Sequence, residues 1–502
     1  MRIEDLNNLN LWWKFGKDFW KYDKNLKEVK DAFIKFERRK LKLKRGNIYV
    51  LRGVRQSGKT TYIKQTILNL IIGGIDPNSI LYISCDKLTS RKELGNIINN
   101  FIQMNRDVEP LYIFLDEITY LEEWNFELKT LADSNLMDKL IIFATGSNPV
   151  KMKEKTERMP GRRVEGNEYY FKPITFREFV LQTADKLAPR IKSEEFSNAL
   201  IKLKEKLKNG SIDLEQSANS IMNKINLVRA FKEELDYLLD IYLLTGGFPG
   251  VINEYLNNKF VKKKETIKSE MYETLIRIIL GDISKIRRSE QIGKEIIRGI
   301  VKRYGTRYSF SAIGKDIELP HQTVIEYLEL FENSFVAGVL YPFDISRKKP
   351  MFKGEKKIYF LDPFIYHAVS SFLTGADGFV NSRESLTKNK DVLIESVVSN
   401  HLIQIKEVPY LREWKTYLGF FYSSTGKEID FIYRKNNGNF LGIEVKYSES
   451  KRKLTKIDGI KEYIVLTKSQ LERRDNVLFV PCLLYTSPSP RDLSTSRMPS
   501  SA

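Results

Sequence analysis

Short apolar runs alternate with helically periodic segments in the first third of the chain. Four runs have the length of strands: NIYVLR (47–52), ILYIS (80–84), LYIFLDE (111–117) and KLIIFATGSN (139–148). The segments TYIKQTILNLII and RKELGNIINNFIQ, which follow the first two runs, repeat their apolar residues every three to four positions. This alternation predicts an α/β fold in which helices cover both faces of a buried parallel sheet.

The middle of the chain has a helical pattern. From Val180 to about Ile283 the sequence is charged and helically periodic, which predicts a helical lid on the α/β core or, alternatively, a structural spacer. A short helix (311–317), a turn at Leu319–Pro320, a longer helix (322–331) and a strand pair follow. This order is typical of a winged helix.

The predicted winged helix has two interpretations. In the first, Gln322 and Thr323 begin a recognition helix that enters the major groove of DNA. In the second, the module only packs between its neighbours, because the same helix carries Glu326 and Glu329 and no arginine.

The last part of the chain returns to mixed helix and strand patterns. VLIESVVSNHLIQ (392–404) predicts an amphipathic helix, and GKEIDFIYRKNNGNFLGIEVKYS (426–448) predicts a hairpin with its turn at NNGN. KKIYFLDPFIYHAV (356–369) predicts a strand followed by a helix that Asp362 caps and Pro363 begins.

These patterns divide the chain into six parts. They are an N-terminal helical segment (1–42), an α/β core (43–180), the lid (181–283), the winged helix (284–345), a C-terminal α/β domain (346–482), and residues 483–502, whose Ser, Pro and Arg content predicts a cloning or sequencing scar.

Composition indicates a globular protein without a membrane span. Apolar residues make up 42% of the chain and charged residues 29%, and no apolar run approaches the ~18 residues that a span needs. The N-terminus does not resemble a secretion signal, so we expect a cytoplasmic protein. The two cysteines and three histidines lack metal-ligand spacing, and we interpret His321, His367 and His401 as surface or packing residues.

The formal charge of +19 is concentrated in short basic runs, including KFERRKLKLKR, VKKKE and RKKPMFKGEKK. Such runs can bind phosphate backbones, which makes DNA a candidate partner, or can form a solvated surface.

The stretch GVRQSGKTT (53–61) matches the phosphate-binding pattern GxxxxGK[ST] between a predicted strand and a predicted helix. Gly53 and Gly58 allow backbone N–H groups to surround phosphate oxygens, Lys59 reaches the β- and γ-phosphates, and Thr60 offers a hydroxyl to Mg²⁺. The other predicted nucleotide-binding residues of this loop are Val54, Arg55, Gln56, Ser57 and Thr61.

Two adjacent carboxylates end the strand-like run LYIFLDE. Asp116 is predicted to hold the magnesium ion through water, and Glu117 to orient and deprotonate the attacking water. ILYIS, an extra strand-like run between the two motifs, and this glutamate together indicate an AAA-type ATPase with an inserted strand. In ATGSN, Ser147 or Asn148 is a candidate γ-phosphate sensor or a simple polar turn.

Arg162 or Arg163 of the GRR motif is a candidate arginine finger, with a surface arginine pair as the alternative. A finger acting from a neighbouring subunit would require a homo-oligomer, which the sequence leaves open.

NLWW at Asn10, GVRQSGKTT, LYIFLDEITYLEEW, ATGSN, GRR with PITFREF, and LTGGFPGVI at Leu244 together resemble archaeal and bacterial AAA-type ATPases that carry a nuclease-like C-terminal domain. The resemblance spans nearly the whole chain before residue 483. It implies ATP as the nucleotide.

The C-terminal hairpin contains a second group of charged residues. Asp430 on one strand, Glu444 and Lys446 on the next, and Glu395 on the preceding helix form the PD-(D/E)XK nuclease constellation. In it, Asp430 and Glu444 would ligate Mg²⁺, Lys446 would position a water, and Glu395 would complete the acidic cluster. A half-buried hairpin without catalysis produces the same alternation of charged and apolar residues.

The leading hypothesis is therefore an ATP-hydrolysing AAA-type ATPase domain coupled to a nuclease-like domain that acts on nucleic acid. The alternative is a nucleotide-dependent signalling or scaffold switch whose C-terminal domain is catalytically silent. A DNA-binding regulator without turnover is disfavoured by Glu117.

Overall fold

The computed structural model describes residues 3–146, 167–208, 212–285, 288–405, 413–447, 454 and 456–481. The chain divides into an N-terminal unit, residues 1–173 with 333–335, and a C-terminal unit, residues 174–332 with 336–502. The first boundary lies before the predicted end of the α/β core at residue 180, and the predicted N-terminal helical segment belongs to the same unit as that core.

A five-stranded parallel sheet forms the centre of the N-terminal unit. Its strands are β1 (Asn47–Gly53), β2 (Ile80–Ser84), β3 (Leu111–Asp116), β4 (Leu140–Gly146) and β5 (Glu168–Phe171). They lie in the order β2-β3-β4-β1-β5. The strand inserted between β1 and β3 is thus β4, whereas ILYIS forms the edge strand β2.

Helices cover both faces of this sheet. They are α1 (Ile3–Leu9), α2 (Trp12–Phe15), α3 (Lys24–Asp31), α4 (Lys59–Ile72), α5 (Arg91–Met104) and α6 (Trp124–Ala132). Alternation along β1 sends Ile48 and Val50 to the face packed by α5 and α6, and sends Tyr49 and Leu51 to the face packed by α4 and the N-terminal helices. The α/β prediction for this segment is confirmed.

The C-terminal unit begins with a set of helices. The helices from residue 176 onward are α7 (Phe176–Leu187), α8 (Glu194–Lys208), α9 (Ala218–Asn226), α10 (Lys232–Thr245), α11 (Pro249–Leu256), α12 (Ser269–Lys285), α13 (Glu290–Lys302), α14 (Phe310–Asp316), α15 (His321–Asn333), α16 (Pro363–Thr374), α17 (Gly378–Lys388) and α18 (Lys390–Gln404).

The helices predicted as a lid share their core with later helices of the same unit. The Tyr272 ring of α12 lies 4.7 Å from the Phe364 ring of α16, and Ser269 Oγ donates to Asp377 Oδ2 at 3.0 Å. In the described part of the chain, no single helix has the length and apolarity to cross a membrane; one bent pair, Arg229–Thr245 with Pro249–Val261, meets these criteria only when both helices are counted together.

A six-stranded mixed sheet forms the end of the C-terminal unit. Its strands are β10 (Leu418–Tyr422), β11 (Glu428–Arg434), β12 (Phe440–Lys446), β13 (Ile460–Thr467), β14 (Glu472–Arg474) and β15 (Val477–Pro481), in the order β10-β11-β12-β13-β15-β14. The predicted hairpin is the antiparallel pair β11–β12. Gly438, in the turn of this hairpin, has φ of 80°, a left-handed conformation that residues with a side chain rarely adopt.

Two short antiparallel pairs follow α14 and α15. They are β6 (Ala337–Leu340) with β9 (Lys357–Phe360), and β7 (Phe343–Asp344) with β8 (Lys349–Pro350). Helices α14 and α15 precede these strands in the chain, and the winged helix stays a prediction. Because β9 pairs with β6, the strand pair extends past the predicted boundary at residue 345.

The start of α16 has the predicted cap. Asp362 Oδ1 accepts a hydrogen bond from Phe364 N–H at 2.8 Å, and Pro363 is the first helical residue. The other carboxylate oxygen accepts from Gly247 N–H at 2.7 Å. Burial raises the pKa of Asp362 to about 7, although these backbone N–H groups oppose the shift.

Candidate functional site

The phosphate loop, residues 53–61, joins the end of β1 to the start of α4. A Cβ atom on Gly53 would lie 2.2 Å from the carbonyl oxygen of Phe171 on β5, so this position requires glycine. Gly58 has φ of 94° and Gln56 has φ of 62°. These left-handed residues turn the backbone sharply before the helix.

The Lys59 side chain lies along the inside of the phosphate loop. Its ammonium donates to the carbonyl oxygens of Gly53 and Val54, both at 2.9 Å, and the side chain is buried. Ser57 Oγ also donates to the Val54 carbonyl at 2.6 Å. Arg55 is half-buried, Gln56 is exposed, and Thr61 belongs to the first turn of α4.

Asp116 is the centre of a hydroxyl network at the carboxyl end of β3. Thr60 Oγ1 donates to its Oδ2 at 2.7 Å, the Tyr82 hydroxyl donates to the same oxygen at 2.9 Å, and Thr145 Oγ1 donates to Oδ1. The structure therefore brings the two predicted magnesium ligands, Thr60 and Asp116, into direct contact. A hydroxyl and a carboxylate together suit Mg²⁺, which prefers oxygen ligands.

Glu117 follows Asp116 in a left-handed conformation, with φ of 55°. Its backbone N–H donates to Thr145 Oγ1 at 3.3 Å. A non-glycine residue in this region costs about 1–3 kcal/mol and needs support from its surroundings. Thr145 supplies that support and also holds Asp116, so one side chain orients both carboxylate residues.

Two participants in this network were not predicted from the sequence. Tyr82 and Asp116 lie on one face because β2 and β3 pair in parallel with Ser84 opposite Asp116. That neighbour relation depends on the strand order, which the sequence did not establish. In the ATGSN motif, Ser147 and Asn148 were the predicted sensor candidates, and Thr145 was not predicted to have a role. Ser147, Asn148, Arg162 and Arg163 lie outside the described residues.

The predicted carboxylate cluster of the C-terminal unit contains a lysine that the sequence did not indicate. Lys357 Nζ on β9 lies 3.2 Å from Glu395 Oε1, 2.9 Å from Glu428 Oε1 and 3.1 Å from Asp430 Oδ1. Its side chain is 3% exposed. Burial alone would lower the pKa of Lys357, but the surrounding acidic groups raise it well above its ordinary value.

The predicted constellation also forms contacts that do not involve Lys357. Asp430 Oδ2 accepts from Val445 N–H at 2.9 Å, and Glu444 pairs with Lys446. The Tyr359 hydroxyl donates to Glu395. Burial and the neighbouring Asp430 raise the pKa of Glu395 to about 7, against the opposing effect of Lys357.

The Lys357 ammonium occupies the position between Glu395 and Asp430. Within the described ranges, no three carboxylate, histidine or cysteine side chains are arranged to hold a metal ion. The single positive charge of Lys357 compensates part of the negative charge of Glu395 and Asp430 and would repel a second cation placed between them.

Three segments of the chain match known families. Residues 45–180 match a family described as an AAA domain. Residues 236–375 and 390–485 match two domains of unknown function, DUF8612 and DUF4143.

Two relatives that align with most of this chain are named only as uncharacterized proteins. The uncharacterized protein MJ1637 of Methanocaldococcus jannaschii is 24% identical over 482 residues, covering 93% of this chain and 89% of that protein. An uncharacterized protein of Haemophilus influenzae is 25% identical over 404 residues, covering 77% and 80%.

Two solved structures illustrate the similarity of this chain to known folds. A RuvB mutant of Thermotoga maritima has a TM-score of 0.26 at 14% identity and covers 58% of this chain and 81% of its own. Cdc6p of Pyrobaculum aerophilum has a TM-score of 0.27 at 12% identity and covers 65% and 88%. Residues 45–180 thus match the AAA domain family, and their phosphate loop lies between β1 and α4, the arrangement of an AAA-type P-loop ATPase domain.

Proposed function

We propose that this chain binds ATP with Mg²⁺ and hydrolyses it. The hydrogen bond of 2.7 Å between Thr60 Oγ1 and Asp116 Oδ2 carries the proposal. It joins the first turn after the phosphate loop to the end of β3, which is where open α/β sheets bind their ligands.

Each residue of this site has a distinct proposed role. The Lys59 ammonium exchanges its loop carbonyl partners for the β- and γ-phosphate oxygens, while the backbone N–H groups of residues 53–61 surround the phosphates. Thr60 and Asp116 would hold Mg²⁺, which supplies positive charge against the phosphate oxygens when bound. Glu117 accepts a proton from the attacking water and fixes its direction.

Trapping experiments test this assignment. Glu117→Gln keeps the size of the side chain but cannot accept the proton, so we expect it to retain bound ATP after gel filtration while the wild type releases ADP. Lys59→Ala should bind ATP at least about tenfold more weakly, because a charge-assisted contact to phosphate is lost. Full turnover by both variants would refute the roles of these residues.

For the C-terminal unit we propose a catalytically silent binding domain rather than a nuclease. The observation that favours this second function is the position of Lys357 among Glu395, Glu428 and Asp430. A buried lysine that satisfies three carboxylates makes the cluster a structural ion-pair network. We derive no metal-dependent cleavage step from it.

Nucleic acid is the proposed partner of this unit. The exposed segment from Arg347 to Lys353, here called the basic segment, carries Arg347, Lys348, Lys349 and Lys353 together with Phe352, which is 65% exposed. Phosphates attract the four cations, and the aromatic ring offers a surface on which a base can stack. On α15, by contrast, Glu326 forms an ion pair with Arg288 at 2.6 Å, so the basic segment suits a polyanion better than the predicted recognition helix does.

Cleavage assays separate the silent domain from a nuclease. Wild type and Asp430→Ala are incubated with Mg²⁺ or Mn²⁺ and with linear or branched DNA. We expect no cutting by the wild type above the level of the variant. Cutting that requires Mg²⁺ or Mn²⁺ and disappears in Asp430→Ala would overturn the proposal and restore the nuclease hypothesis.

A further inference from the structure

The edge strand β2 connects the N-terminal helices to the proposed magnesium site through Tyr82. The Tyr82 hydroxyl donates to Asp116 Oδ2 at 2.9 Å, the same oxygen that accepts from Thr60. Tyr82 is buried, with 3% of its surface exposed. A buried hydroxyl bonded to a carboxylate fixes the orientation of both groups, because neither can exchange its partner for water.

The side-chain amide of Asn10 forms hydrogen bonds with the backbone of Tyr82 in the way that a neighbouring strand would. Asn10 Oδ1 accepts from Tyr82 N–H at 2.7 Å, and Asn10 Nδ2 donates to the Tyr82 carbonyl at 3.0 Å. Since β2 is the edge of the sheet, these are backbone groups that a further strand would otherwise satisfy. Asn10 is fully buried.

The two tryptophans of the NLWW motif extend this attachment along β2. The indole N–H groups of Trp12 and Trp13 both donate to the Ile80 carbonyl, at 3.0 and 2.9 Å. The N-terminal segment therefore binds the outer edge of β2 at two successive outward-facing positions.

The Tyr82 ring is also fixed from the side of the phosphate-loop helix. Lys64 Nζ on α4 lies 3.6 Å from the ring centroid, donates to the Leu9 carbonyl at 3.2 Å and lies 3.7 Å from Asp23 Oδ2. The cation over the ring face leaves the phenol little rotational freedom. The orientation of the hydroxyl is thus set by contacts from the N-terminal segment and from α4.

We propose that Tyr82 is a positioning residue for the magnesium-binding aspartate and that Asn10 acts through it, so the N-terminal segment is part of the magnesium site. The inference rests on the proposed ATPase function. Tyr82 holds Asp116 Oδ2 toward Thr60, so that the carboxylate does not have to reorient when the metal binds.

The magnesium dependence of ATP hydrolysis tests this role. Rates are measured at saturating ATP over a range of free Mg²⁺ for wild type, Tyr82→Phe, Asn10→Ala and Tyr112→Phe. Tyr112 is a matched control because it is a buried tyrosine at the opposite end of β3 from Asp116. We expect the KM for Mg²⁺ to rise about three- to tenfold in Tyr82→Phe and in the same direction in Asn10→Ala, and to stay unchanged in Tyr112→Phe.

A second readout distinguishes positioning from general damage. Binding of a fluorescent ATP analogue in EDTA should be the same in all four proteins, and higher Mg²⁺ should recover most of the turnover lost by Tyr82→Phe. If Tyr82→Phe does not fold, Asn10→Ala decides the result.

An unchanged KM for Mg²⁺ in the folded variants, or equal shifts in Tyr82→Phe and Tyr112→Phe, would overturn the inference. Absence of Mg²⁺-dependent hydrolysis in the wild type would instead refute the proposed function, so the two failures are distinguishable.

Discussion

Buried single side chains determine the charge balance of both candidate sites. Asp116 is satisfied by three hydroxyl donors, which leave its negative charge available to a cation. Asp430 and Glu395 share the Lys357 ammonium, so part of their charge is already compensated. The two carboxylate groups therefore differ in their charge environment because of their partners and not because of their residue type.

His401 provides a prediction at this scale. Its Nε2 accepts from Phe176 N–H at 3.2 Å at the start of α7, and burial lowers its pKa to about 3. In the unfolded chain the ring takes up a proton near pH 6.5, whereas in the fold it stays neutral down to about pH 3. This group therefore lowers the free energy of unfolding as the pH falls from 6.5 toward 3.

Asp362 and Glu395 change the free energy of unfolding in the opposite direction as the pH falls, because burial raises their pKa values to about 7. A comparison with a variant is therefore needed to isolate the contribution of the histidine. As the pH falls from 6.5 to about 3, we expect the free energy of unfolding of His401→Gln to rise relative to that of the wild type by about 1.4 kcal/mol per pH unit. Urea denaturation at several pH values measures it, with the exposed His321→Gln as the control. Parallel pH profiles of His401→Gln and the wild type would contradict the assignment.

At the scale of elements, the short pair β7–β8 presents the basic segment on a turn in which Lys348 has φ of 52°. The VKKKE run offers a control of the same charge: Lys262, Lys263 and Lys264 are exposed, and Lys263 has φ of 56°. Replacing either set of three cations by glutamine changes the net charge equally and places glutamine at one left-handed position.

We therefore expect Arg347, Lys348 and Lys349 replaced together by Gln to weaken DNA binding and to flatten its salt dependence. Loss of three phosphate contacts should reduce the slope of log K against log salt by about 2 to 3. The same change at Lys262, Lys263 and Lys264 should leave the slope within about 0.5 of the wild type. Binding titrations between low and moderate salt measure the DNA affinity and the slope for each variant. Equal losses of affinity and slope in the two triple variants would contradict a specific role of the basic segment and favour non-specific charge attraction.

Across the whole chain, local sequence patterns predicted where strands and helices occur but did not predict which strands pair with each other. The runs that contain β1, β3 and β4 form strands because their central residues are apolar and they lie between helical segments. Strand order depends on contacts distant in sequence, and this is why the edge position of β2 and the contact of Tyr82 with Asp116 were missed. The hairpin that carries Asp430 and Glu444 was predicted, but Lys357 reaches the cluster from β9, 73 residues before Asp430.

We propose above that the site formed by Lys59, Thr60, Asp116 and Glu117 hydrolyses ATP. The most direct measurement is steady-state phosphate release from ATP by the wild type and by Lys59→Ala, each in Mg²⁺ and in EDTA. We expect turnover only in the wild type with Mg²⁺, and at least a hundredfold less, on the order of 3 kcal/mol of lost transition-state stabilisation, in the other three conditions. Equal phosphate release by the wild type and Lys59→Ala in Mg²⁺ would contradict the account.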